Sequence, residues 1–177
     1  MFKILIAVLF SMFLYEPVSI YTFQVPSANG GTINFSQFEG KRVLIVNIAT
    51  QSEFASQLSE LQQLQQSYSN DLVIVAFPSN SFGNEPLSND SIASYLSSQY
   101  NISFPVGAKV EVNDTTGNIA PLYRWLTTRN ENGVLNRKIR GDFEKFLVNK
   151  EGILVGYFDG TITPASQSIE NALQVHQ

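Results

Sequence analysis

Two runs of aliphatic and β-branched residues, "KRVLIVNIA" (Lys41 to Ala49) and "DLVIVAFP" (Asp71 to Pro78), limit the folds open to this chain. Neither alternates polar with apolar residues, so each reads as a strand covered on both faces. Between them, Phe54, Leu58, Leu61, Leu64 and Tyr68 recur at i+3 and i+4 spacing, which predicts an amphipathic helix from Phe54 to Tyr68 with a glutamine-rich outer face. Strand, helix and strand in this order form a β-α-β unit with a right-handed crossover and a parallel strand pair.

The flanking segments extend that unit. "SIYTFQV" and "GTINF" read as short strands around the turn-rich "PSANGG". "SNDSIASYLSSQY" predicts a helix capped by Ser88 or Asn89, and "AKVEVN" a short edge strand. "APLYRWLTT" predicts a helix with Pro121 in its first turn, where a missing N–H costs nothing. "FEKFLVN" and "ILVGYF" read as a hairpin turning at "KEG", and "PASQSIENALQV" as a closing helix. The sum is an α/β domain of thioredoxin-like type, a central mixed β-sheet flanked by helices.

The N-terminus is a separate element. Lys3 is followed by an apolar run from Ile4 to Tyr15, shorter than the roughly 20 residues a membrane-spanning helix needs and suited to a signal-peptide core. Residues 1–18 therefore read as a signal peptide and 19–177 as one mature domain, secreted or periplasmic, with no stable membrane span after cleavage. The chain has no cysteine, and its methionines, Met1 and Met12, both lie in the leader. A mature chain without sulfur has no disulfide, thiolate metal site or cysteine redox chemistry. A net charge of -4 argues against nucleic acid as a partner.

Several blocks together resemble the glutathione peroxidase family: "GKRVLIVNIAT" (Gly40 to Thr50), "VIVAFPSNSFGNEP" (Val73 to Pro86), "FPVGAKVEVN" (Phe104 to Asn113), "PLYRWL" and "FEKFLVNKEG" (Phe143 to Gly152). The short span between Trp125 and Phe143 is similar to the small members that lack an oligomerisation insertion, which implies a monomer. The resemblance implies peroxide reduction by a cysteine or selenocysteine, and it places that residue at Ser52. Glu53 and Ala55 replace the family's following glycine and threonine, while Gln57 keeps a family-like amide. The family's glutamine falls on Ser81, its tryptophan on Gly141 and its asparagine on Asp142. All four catalytic positions that the resemblance implies are thus substituted.

A serine hydroxyl cannot replace the thiolate, because peroxide reduction requires an atom that accepts oxygen, as sulfur does on becoming a sulfenic acid. Ser52 is no better placed as a hydrolase nucleophile: the sequence has no G-x-S-x-G elbow, and its one histidine is His176, next to the last residue. Ser52 reads instead as the N-cap of a helix starting near Phe54, with Glu53 in its first turn. No cofactor or resident metal is expected, although Ser52, Glu53 and Asp142 brought together would offer oxygen ligands to a hard cation. "NRKIRGD" sets Arg137, Lys138 and Arg140 just before Gly141, as a solvated basic loop or a site for an anionic partner. The reading that follows is a noncatalytic family member that binds a protein or small-molecule ligand. The alternatives are a residual peroxidase-family oxidoreductase and an enzyme with non-sulfur chemistry at Ser52, Glu53 and Asp142.

Overall fold

The computed structural model describes residues 18–113 and 117–175, and the leader from Ile4 to Tyr15 and His176 lie outside them. In chain order the elements are β1 (Gln24–Pro26), β2 (Thr32–Asn34), β3 (Arg42–Ile48), α1 (Gln57–Ser67), β4 (Leu72–Pro78), α2 (Asn89–Tyr100), α3 (Pro121–Thr127), α4 (Arg129–Asn132), β5 (Lys145–Val148), β6 (Leu154–Phe158) and α5 (Gln167–Val175). The main sheet runs β4-β3-β5-β6, and β1 and β2 form a separate antiparallel pair. β3 pairs parallel with β4 and antiparallel with β5, so the sheet is mixed.

Every residue of β3 is buried, which accounts for its unbroken apolar run. Alternate side chains enter two different cores. Val43 and Ile45 pack with Val75, Phe77, Phe146 and Val148 beneath α3, whose Leu122, Tyr123, Trp125 and Leu126 close that side. Leu44, Val46 and Ile48 pack on the other face with Leu58, Leu61, Ile92, Leu96, Ile169 and Leu173 from α1, α2 and α5. Full burial of each such side chain contributes about 1.5–3 kcal/mol. Arg42, also buried, donates from Nη1 to the Leu173 carbonyl and so ties the start of β3 to the end of α5.

Three local expectations need correction. The helix predicted from Phe54 begins at Gln57, because i to i+3 bonds (Ala55 N to Ser52 O, 3.0 Å; Gln57 N to Phe54 O, 2.9 Å) wind the preceding residues into turns. Ile20–Thr22 forms one 3₁₀ turn rather than the start of a strand. Residues 108–113 are not a regular strand. The chain meets β4 there by scattered bonds (Gly107 N to Ala76 O, 2.8 Å; Val110 N to Pro78 O, 2.9 Å), and Pro105 has no N–H to contribute to a ladder. Other boundaries hold: Ser88 Oγ caps α2 through Ser91 N at 3.4 Å, and Pro121 opens α3.

Candidate functional site

β3 and β4 run in parallel and deliver two loops to one edge of the sheet, the usual location of sites in α/β folds. The loop after β3 begins at Ala49, and Ser52 lies in its first turn, buried with 7% exposure. Ser52 N donates to Ala49 O at 3.3 Å, and Ser52 Oγ accepts from Phe54 N at 3.3 Å. The hydroxyl thus caps a turn, one step upstream of the helix it was expected to cap. α1 itself starts after Ser56, whose side chain makes no capping bond.

Two bridges hold the loop after β4 against this turn. Gln51 N donates to Asn84 O at 3.0 Å, and Glu85, fully buried, receives Thr50 N at 2.8 Å, Thr50 Oγ1 at 2.9 Å and Leu87 N at 3.1 Å. A buried carboxylate with three donors is stably accommodated. Asn84 continues the chain of contacts by donating from Nδ2 to Asp142 Oδ2 at 2.7 Å.

Asp142 sits on the segment that enters β5, with 4% exposure, and among the described residues its Oδ1 has no donor. Asn47, in β3, holds this segment twice: its carbonyl accepts from Phe143 N at 2.7 Å and its Nδ2 donates to Gly141 O at 2.9 Å. Phe143 adopts φ +61°, a conformation costly for a bulky side chain, and Asn47 is the neighbour that fixes it. From the other side, Gln57 Nε2 donates to Gly160 O at 2.7 Å, and a Cβ at Gly160 would lie 2.3 Å from Asp142 O. Only glycine permits that approach. A Cβ at Gly141, by contrast, would meet nothing within 4 Å.

The residues singled out by sequence therefore separate. Ser52 and Asp142 lie on loops joined through Gln51 and Asn84, and Gly141 flanks Asp142. Ser81 turns elsewhere: its hydroxyl donates to Glu111 Oε2 at 2.8 Å and accepts from Val112 N at 3.1 Å. Glu53 is exposed while Asp142 is buried, and among the described residues no three histidine or acidic side chains are grouped to hold a metal ion. None of five cavities of about 340 to 590 Å³ is lined by Ser52, Glu53, Gly141 or Asp142.

Residues 20–127 match the family described as glutathione peroxidase. The chain belongs to the glutathione peroxidase family. A glutathione peroxidase-like peroxiredoxin of Candida albicans is 40% identical over 154 residues, covering 85% of this chain and 90% of that protein. A probable phospholipid hydroperoxide glutathione peroxidase of Nicotiana sylvestris is 38% identical, covering 85% and 89%. Among solved structures, T. cruzi GPX1 superposes with a TM-score of 0.65 at 25% identity, over 90% of this chain and 96% of that one. A thioredoxin-family thiol:disulfide interchange protein from Chlorobium tepidum reaches the same TM-score at 16% identity, over 91% and 97%, and speaks for the thioredoxin-like fold alone.

Within this glutathione peroxidase frame, the sequence reading passed over the residues that hold the loops. Asn47, Asn84 and Glu85 all stand inside blocks quoted for the resemblance, yet no spacing marks them as buried clasps. Lys145 was equally unmarked. It is buried and donates to Phe143 O at 2.8 Å and Ile162 O at 2.7 Å. Burial pushes its ammonium down to about 8, against the opposing pull of Asp159, Glu60 and Glu144. Tyr157, bonded to buried Glu144 at 2.8 Å, is pushed up to about 12 by burial and by that carboxylate.

Proposed function

We propose that this chain is a noncatalytic, exported member of the glutathione peroxidase family that acts by binding. The relatives' names describe peroxidases and peroxiredoxins, and the resemblance puts Ser52 where their reactive sulfur or selenium would be. The observation that carries the reading is that the whole sequence contains no cysteine. The chemistry needs an atom that passes between two oxidation states, and no tuning of a hydroxyl's pKa creates one. The surroundings of Ser52 agree: its oxygen is engaged by Phe54 N, and an acid, not an amide, stands at residue 142.

The mature domain is read as residues 19–177, monomeric outside the cytosol. Among the described residues no helix is long and apolar enough to cross a membrane. The test is turnover of hydrogen peroxide and of a lipid hydroperoxide, with glutathione and with thioredoxin as reductant, by protein of confirmed mass. No rate above buffer is expected under conditions where a cysteine-containing relative turns over. Sustained turnover would end the noncatalytic reading.

A further inference from the structure

None of the five cavities is lined by Ser52, but two of them share walls. One cavity of about 430 Å³ is walled by Phe82, Val112, Ile119 and Ile139 and edged by Arg137 and Lys138. A second, of about 590 Å³, shares Ile119, Thr127, Arg137 and Lys138 with the first and adds Arg124 and Asn136. The shared walls make one groove, apolar at the Phe82 end and cationic along its length. Each cavity's volume lies in the range of roughly 300–1,000 Å³ usual for small-molecule sites.

The charge is distinctive. The chain carries a net charge of -4, yet among the described residues no aspartate or glutamate lines either cavity. The three cations differ in availability. Arg124 is paired with Glu131 at 2.8 Å. The guanidinium of Arg137 lies 4.0 Å over the Tyr157 ring, which fixes its position, and Glu144 behind that tyrosine and nearby Asp159 offset part of its charge. Lys138 has no ion-pair partner among the described residues. An anchored guanidinium beside a free ammonium, at the rim of an apolar wall, recognises a planar anion attached to an apolar body.

We infer that this groove binds a small amphipathic organic anion, with a single carboxylate between Arg137 and Lys138 and an apolar body against Phe82, Val112, Ile119 and Ile139. The inference rests on reading the chain as a binding protein, and it names the site and the ligand class. It needs neither Ser52 nor any redox chemistry, so the turnover assay tests the noncatalytic reading and binding measurements test this one.

The probe is 4-phenylbutyrate, compared with the uncharged 4-phenylbutanol. Titration calorimetry would measure affinity, and amide chemical shifts would locate the site. The carboxylate should bind at least tenfold more tightly than the alcohol, shift the amides of Ile119, Thr127 and Ile139, and weaken as salt rises. The exposed pair Arg137→Gln and Lys138→Gln should lower its affinity at least tenfold with the thermal midpoint held. Equal affinity for acid and alcohol, retention of affinity in a folded double variant, or shifts confined to another region would each overturn the assignment.

Discussion

Glu85 and Asp142 are both buried carboxylates at the same edge of the sheet, and their surroundings treat them differently. Glu85 receives three donors, from the backbone and hydroxyl of Thr50 and the backbone of Leu87. Asp142 receives one, from Asn84, and its second oxygen has none. One acid joins the loops after β3 and β4 in a clasp that the backbone itself completes. The other occupies a position whose neighbours supply half of what a carboxylate requires. The contrast teaches that the two acids do different work at this edge: Glu85 is built into the loop framework, whereas Asp142 is held on one side only.

The comparison breaks most readily at Glu85. Replacing it with alanine strands the N–H groups of Thr50 and Leu87 and leaves the Gln51–Asn84 backbone bond as the remaining bridge between the two loops. A loss of about 3 kcal/mol is expected, read from the urea midpoint. A loss under about 1 kcal/mol would mean that the clasp contributes no more than an ordinary surface contact.

Restoring the family side chains tests the other half. Ser52→Cys alone should give a thiol oxidised slowly by peroxide, since a carboxylate at residue 142 opposes thiolate formation. Adding Ser81→Gln, Gly141→Trp and Asp142→Asn should raise the second-order rate at least tenfold, about 1.4 kcal/mol in the barrier. A Cβ at Gly141 meets nothing within 4 Å, whereas Ser81→Gln must first give up its bonds to Glu111 and Val112. Equal rates in two variants with matching circular dichroism would show that the four positions do not act on one atom.

The smallest effect is expected from Asp142→Asn alone. The amide oxygen still accepts from Asn84, and removing a half-paired buried charge outweighs the cost of the amide N–H groups that take the place of Oδ1. Stability should rise by about 1 kcal/mol in thermal unfolding. A fall would show that the acid meets a need that Asn84 does not represent.

The strands were legible where burial on both faces forces a continuous apolar run, as in β3 and β4. The helices were legible where capping or proline chemistry is local, as at Ser88 and Pro121. The start of α1 was not, because Phe54 keeps the helical spacing of apolar residues while packing from a turn near Gly160. At the site, the resemblance singled out Ser52, Gly141 and Asp142, and the loops that carry them are joined through Gln51 and Asn84. It could not reveal that Ser81 faces Glu111, since hydroxyl direction leaves no trace in spacing. Asn47 and Glu85 escaped for a related reason: a polar residue bound to backbone looks, in sequence, like any solvated one.

The position of β3 between β4 and β5 also has a consequence for how the chain is made. Its parallel partner follows closely, but its antiparallel partner lies about a hundred residues downstream. At ordinary rates of synthesis, that interval is roughly 5 to 20 s. Throughout it, this strand keeps one unpaired edge, the condition in which strands join the wrong neighbour, even as α1, α2 and α3 emerge to cover its faces. The strand that organises the finished protein is therefore one whose second edge waits on the last third of the chain.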